Sequence, residues 1–541
     1  MAEAKGVFLR EATGLSREMS RIDALYYNVL TCALISMTNL WVFLSGPAAF
    51  PGGDVTLSLL ISSIIVVPLG VAYAMLAASM PRTGGEYVYQ SRILHPSLGF
   101  SLVFTASVIF SLSWVAWTVW GINAGLAALF TVTGVQTGNT ALMNFGEWVL
   151  SNDAILVSGI VLVSFIGVVL LFGMRTYCRL QHVLWWGTVA AVIVIAAVTS
   201  TTSTATFIQK FNGFMVHFQE DPDLYHYTIE SAREAGFNPS VPFSWGATMG
   251  ITPIWFTTTL WIYWSTYQAG EIKGAQILRN QLMQIVGAAV LLAVFVTPAT
   301  YFPARMAGQE FINAMSYHAV NETPLGTIPV LGSSFVLFTS IVAGTALASI
   351  VFFGFLCNLI QIPFNCAIAP IRAMFAMSFD RILPAKVADV DKRFRSPWVA
   401  TLVTVVLSMM WILLYLYVPA IGEYFTVMMV TTTLLLIVSM VAAILFPYRC
   451  KEIYKASPVS KYEVAGVPVV TIAGILGLFF CLLMEYYYVV DPTYGAAGDP
   501  IVISLNALLI IGAIIYYFLA RWHRKRQGID IDLAFKEVPP E

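Results

Sequence analysis

Long apolar runs separated by short polar segments set the pattern of this chain. A helix-length window picks out runs near residues 25–46, 57–79, 100–131, 154–172, 178–199, 248–269, 281–302, 334–357, 398–418, 424–446, 466–488 and 501–520. Several exceed the roughly 18–20 residues that a helix needs to cross about 30 Å of hydrocarbon. The pattern therefore predicts an all-α integral membrane protein with about 12 transmembrane helices. The polar intervals divide it into an N-terminal segment (1–24), a first set of five spans (25–199), a polar segment (200–247), a second set of five (248–446), a loop (447–465), a last pair of spans (466–520) and a tail (521–541).

Composition agrees with that solvent. The chain is 58% hydrophobic and 11% charged, whereas a soluble globule carries about a quarter charged residues. A net charge of −1 argues against a nucleic-acid partner, which needs a concentrated basic face. The placement of charge says more than its sum. With the N-terminus in the cytoplasm, only Lys210, Arg233 and Arg305 of the 28 Lys and Arg residues fall outside, and the reverse orientation would oppose the positive-inside rule. A multi-pass protein of the cell membrane with both termini cytoplasmic is the expectation. Glu220, Asp221, Asp223, Glu230 and Glu234 crowd the 200–247 segment, which is too polar to span and reads as an outer cap.

Candidate chemistry is sparse. The spans hold almost no ionisable side chains; His182 sits near an inner end and Glu485 near an outer one. No His-Glu-x-x-His, Gly-x-Ser-x-Gly or clustered Cys and His occurs, so no catalytic residue, metal site or cofactor is predicted, and a membrane-embedded enzyme is disfavoured. The six cysteines lie in apolar segments or near basic ends, which predicts no disulfide framework.

A span can be interrupted only where its freed backbone groups meet protein, water or a ligand, so paired breaks mark solute sites. The first run carries Ser36, Thr38 and Asn39 at mid-depth, side chains that compete with the helical ladder or pack helices. The sixth carries Pro253 and then Trp261-Ile262-Tyr263-Trp264-Ser265, a stretch that suits a broken helix or an interfacial belt. Trp114, Trp117 and Trp120 share one side of the third run, either walling a pocket or packing against neighbours.

Pro81-Arg82-Thr83-Gly84-Gly85-Glu86-Tyr87, then Gly270-Glu271-Ile272-Lys273, then Arg372 to Met377 with Arg381-Ile382-Leu383-Pro384 and Ser396-Pro397, resemble in order the loop motifs of the amino acid-polyamine-organocation (APC) superfamily and its amino acid permeases. The resemblance implies a leucine-transporter-type fold, a 5+5 inverted repeat plus two C-terminal helices, with helices 1 and 6 unwound around the substrate. It also implies a secondary active transporter of amino acids or related amines. By motif position the substrate would meet Leu34, Ile35, Ser36, Met37 and Thr38 on one side and Trp261, Ile262, Tyr263, Trp264 and Ser265 on the other. The family's Gly-rich elements map onto Leu34, Ile35 and Ser36 and onto Trp261, Ile262 and Tyr263, and this chain has no glycine at those six positions, so Trp261 is expected to fill space left open in relatives.

For coupling, the resemblance offers either a helix 5 lysine, which Trp185-Trp186-Gly187-Thr188 lacks, or a sodium site built from the helix 1 break at Ser36 with Thr345 and Ser349. Exchange without an ion stays open. Glu86 and Glu271 would form a cytoplasmic gate. Heteromeric relatives carry a cysteine in the outer loop after helix 3, and residues 132–153 have none, so no disulfide-linked partner is expected. A membrane solute sensor or partner-binding subunit without transport is the alternative reading.

Overall fold

The computed structural model describes residues 14–36, 38–327, 334–418, 425–494 and 500–536. Almost every element is helical; the strands among the described residues are the two-residue pair Glu463–Val464 and Val467–Pro468. Among the described residues, ten helices are long and apolar enough to cross a membrane: Val55–Ser79, Pro96–Thr137, Asn152–Leu171, Met174–Thr201, Leu278–Ala307, Thr345–Phe379, Trp398–Tyr417, Met428–Arg449, Val469–Val490 and Ile503–Arg526. The two predicted spans absent from this set, 25–46 and 248–269, are the two in which the sequence pattern anticipates breaks. Both are present as interrupted helices. The first runs Arg21–Thr31, leaves the helix, and resumes as a π-helical turn Thr38–Val42 and a helix Phe43–Ala49. The sixth runs Trp245–Thr259 and then tightens into a 3₁₀ segment, Leu260–Tyr267.

One boundary differs from its hydropathy reading. The predicted eighth span, 334–357, is in fact a short helix, Phe335–Val342, followed after Ala343 and Gly344 by a long one, Thr345–Phe379. The window ended early because Asn358, Gln361, Pro363 and Asn365 lower the hydropathy of the second half. These side chains are buried, so in the fold they face protein and the helix continues through them.

The eighth span packs along the fifth and third, and the second along the seventh and eleventh. The fifth and eighth approach closely: a Cβ on Gly354 would lie 2.3 Å from the Gly187 carbonyl oxygen, and one on Gly187 2.7 Å from Cys357 Sγ. Side chains larger than hydrogen have no room there, which is why both positions are glycine.

The polar 200–247 segment folds as two helices, Thr204–Met215 and Leu224–Glu234, and joins a third, Gln309–Val320, in a cap over one end of the bundle. Ser316 ties that third helix to the first span, its Oγ donating to Leu44 O (2.8 Å) and accepting from Ala48 N (3.1 Å). At the opposite end lie the N-terminal strand-like residue Met19, bridged to Ile272, and Arg524, whose guanidinium donates to the carbonyls of Arg381 (2.9 Å) and Leu383 (3.3 Å). The described segments nearest the two termini therefore lie at this terminal end, away from the cap.

Candidate functional site

The first span breaks where the sequence places small polar side chains. Ala33 takes a left-handed conformation (φ 53°), which ends the helical ladder, and two side chains one turn on bond back to carbonyls of the break: Thr38 Oγ1 donates to Leu34 O (3.2 Å), and Asn39 Nδ2 to Ile35 O, which also accepts from Asn39 N (3.3 Å). The freed amides have a different partner. Asn358 Oδ1 of the eighth span accepts from Ile35 N (3.2 Å), Ser36 N (3.1 Å) and Ser36 Oγ (2.8 Å). Backbone N–H groups at an interrupted helix are ready anion donors, and here a neutral amide oxygen holds them.

The sixth span loosens progressively. Pro253 lies inside the helix, the hydroxyls of Thr257 and Thr258 donate back to the carbonyls of Ile254 (2.6 Å) and Trp255 (2.8 Å), and Trp261 Nε1 donates to Thr257 O (2.7 Å). Such back-bonding competes with the ladder and favours tightening or bending. The first and sixth spans are cross-linked beside the breaks: Asn28 Nδ2 donates to Ser265 Oγ (2.9 Å) and Gln284 O (2.7 Å), while Asn28 Oδ1 accepts from Ser265 N (2.8 Å).

Between the breaks lies a cavity of about 20 Å³ lined by Thr31, Ala33, Trp114, Trp261, Trp264 and Cys366, among others. That volume holds about one water, and the rings of Trp261 and Trp264, 4.5 Å apart and edge-on, close it. Trp261 and its neighbour Trp264 both narrow the cavity. A larger cavity, about 260 Å³, opens under the cap between the second and seventh spans, lined by Asp54, Tyr301, Arg305 and Gln309 among others.

The predicted substrate residues scatter around this centre. Trp261 and Trp264 line the cavity; Leu34, Ile35 and Ser36 are buried beside it, with Ser36 tied to Asn358. Ser265 serves the cross-link to Asn28. Ile262 packs against the second span, where Gly70 leaves room for its Cδ1. Tyr263 turns to the second span as well, stacking on Tyr73 at 3.9 Å and 9°. Met37 lies outside the described residues.

The ion site expected from Ser36, Thr345 and Ser349 does not assemble. Thr345 and Ser349 are exposed near the start of the eighth span, with Ser349 Oγ donating to Thr345 O (2.9 Å). The eighth-span residue that reaches Ser36 is Asn358, which lies about 20 Å and about 14 Å further along the axis at 1.5 Å per residue. The helix starts later than hydropathy suggests, and this offset carries both hydroxyls toward the cap.

At the terminal end the break is sealed. Arg372 clasps Glu271 through two bonds, Nε to Oε1 (2.8 Å) and Nη2 to Oε2 (2.9 Å), both side chains being at most 3% exposed. Met19 brackets the same point, its N donating to Glu271 O (3.0 Å) and its O accepting from Lys273 N (2.9 Å). The other predicted gate residue, Glu86, is fully buried and accepts from Tyr73 Oη (3.2 Å).

Sequence reasoning passed over the amides that organise this centre. Besides Asn28 and Asn358, Asn365 Nδ2 donates to Thr31 Oγ1 (2.6 Å) and Tyr27 O (3.2 Å), and its Oδ1 accepts from Tyr177 Oη (2.7 Å) and Gln361 Nε2 (2.7 Å). Each is one amide in an apolar run, a signal shared with ordinary helix-packing residues.

Helical spans on every side of two interrupted helices, with a polar cap at one end and a salt-bridged seal at the other, define an all-α integral membrane transporter. The sequence profile of the amino acid permease family matches residues 23–518, and the chain belongs to that family, within the APC superfamily. A search of curated proteins returned no match.

Proposed function

We propose that the chain is a secondary transporter of amino acids or related amines that works by alternating access around the gap between its first and sixth spans. The observation that carries this reading is the pair of interruptions at 32–36 and 260–267 facing one Trp-lined cavity. A membrane helix forgoes its ladder only where protein, water or a ligand takes up the freed groups, and paired breaks facing one cavity favour a ligand. The cap end is then extracellular and the Glu271–Arg372 seal cytoplasmic, the orientation that the distribution of Lys and Arg favours.

The cavity lining carries no charge, so a net-neutral or zwitterionic solute fits it, and the faces of Trp114, Trp261 and Trp264 suit an amine or an apolar side chain. In its closed form the cavity is too small for any amino acid. Entry therefore requires the two Trp rings to swing apart and Asn358 to release the amides of Ile35 and Ser36, which a solute carboxylate would then take. A thermal-shift screen of amino acids and amines on the purified protein, with and without sodium and at two pH values, tests this. A solute at a hundred times its Kd stabilises by about 2.7 kcal/mol. Selective stabilisation by one chemical class is expected, and a uniform lack of response across the panel would contradict the reading.

A further inference from the structure

We propose that Glu86 is a proton-binding site, carrying a proton while the terminal end is closed and releasing it when that end opens, so that solute movement is coupled to proton movement. The coupling rests on the transport reading above; the proton on Glu86 does not.

Among the described residues four carboxyl groups are buried near the terminal end, Asp23, Glu86, Glu271 and Asp380, and Asp23 has His182 Nε2 at 2.7 Å. Two of them are neutralised by arginine. Arg372 clasps Glu271, and Arg92 lies 2.7 Å from Asp380, which also accepts from Tyr87 Oη at 2.7 Å. Glu86 forms no ion pair among the described residues, although it is 0% exposed. An ionised carboxylate buried without a cation is strongly disfavoured, whereas its protonated form is neutral and gains a donor.

The groups around it are neutral. The second span contributes Tyr73, which has Cys481 of the eleventh span and Ser439 of the tenth beside it; the sixth contributes Tyr263 and Tyr267; Glu86's own helix, Glu86–Ile93, contributes Tyr89. The charges of the eighth span are engaged elsewhere, in the two pairs just described. Tyr73 Oη donates to Glu86 Oε1, while Oε2 closes no hydrogen bond of normal geometry, and the Tyr263 and Tyr267 hydroxyls lie near the carboxyl group. A protonated Oε2 would use those hydroxyls as acceptors. Glu86 is also the first residue of its helix, which favours the anion, but that helix has eight residues and a terminal dipole is a smaller effect than burial of an unpaired charge.

The position links this proton to the moving part. Two of the phenols around Glu86 belong to the 3₁₀ segment of the sixth span, and Gly84 N donates to Tyr267 O (3.0 Å). Gly85 is held against the Tyr267 ring, where a Cβ would lie 2.9 Å from Cδ2. Any displacement of the segment unpacks Glu86 and admits water. The carboxylic acid then gives its proton to that water, leaving carboxylate and hydronium, and no other bond changes. Reloading has a route in the Tyr267 Oη to Ser107 Oγ contact (2.5 Å), which leads to the π-helical segment of the third span, Phe104–Phe110.

The test uses the full-length protein in liposomes with a trapped pH dye, alongside infrared spectra of the same samples. At pH 7 the wild type is expected to show a protonated-carboxyl stretch that Glu86→Gln removes and Tyr73→Phe shifts, and solute entry is expected to carry protons in the wild type but not in Glu86→Gln. If Glu86→Gln removes no such band from a folded protein, the assignment is overturned whatever transport shows. Solute entry without protons in the wild type overturns the coupling and leaves transport standing. A wild type that shows the band yet moves no solute overturns the transport reading and keeps the proton site.

Discussion

Replacing Arg372 with Gln removes the cation from a carboxylate that is at most 3% exposed. Removing one partner of a buried pair costs about 3–5 kcal/mol, mostly through the charge left behind. That penalty applies only while Glu271 stays buried, because water solvates the carboxylate once the terminal end opens. The substitution should therefore shift the closed–open balance toward open by roughly 100- to 4,000-fold, at about 1.4 kcal/mol per factor of ten.

Cys366, buried and lining the cavity, reports the opening directly through its rate of modification by a maleimide. Arg372→Gln should raise that rate steeply, while Glu271→Gln with Arg372→Gln should return it much of the way, since the pair then carries no orphan charge. A single variant that labels no faster than wild type, or a double variant that labels as fast as the single, would refute the argument.

Other consequences can be checked separately. Asn358→Ala leaves the amides of Ile35 and Ser36 without their acceptor, at about 1–3 kcal/mol for a buried orphan, and should lower the melting temperature; a carboxylate-bearing solute should restore more of the loss in the variant than it adds to the wild type. Trp261→Ala should cost about 3–5 kcal/mol and shift the selectivity of uptake toward bulkier side chains, read by a competition panel. His318, in the cap helix Gln309–Val320, has its pKa lowered by burial, with Thr228 O at 3.0 Å opposing that. The unfolded cap then binds a proton more readily than the folded one, so the histidine's contribution is intact above the ordinary His pKa of about 6.5 and is lost as pH falls below it through the lower folded pKa. Hydrogen exchange in 309–320, corrected for intrinsic rates, should quicken between pH 8 and pH 5, and His318→Gln should remove the difference.

Much of the architecture was legible in the sequence because hydrocarbon imposes one rule on every exposed span. Apolar runs located the helices, and Ser36-Met37-Thr38-Asn39 and Pro253 flagged the two that break. The eighth span was misplaced because hydropathy treats Asn358, Gln361 and Asn365 as evidence against burial, whereas inside a bundle these side chains satisfy one another and the broken first helix. The same blindness hid Asn28 and Asn358, and it put the expected hydroxyls, Thr345 and Ser349, too far from Ser36. Glu271 could be singled out by motif, but its ion-pair partner could not, since Arg372 and Arg381 stand in one basic segment and packing alone selects Arg372.

The most direct test of transport through the gap between the broken spans is uptake of radiolabelled amino acids and amines by the purified protein in liposomes, with Trp261→Ala beside the wild type. Saturable uptake of a class of these solutes, stimulated by the same solute trapped inside and altered in selectivity by the substitution, is the predicted result. Folded protein that takes up none of them, or a selectivity indifferent to Trp261, would contradict it.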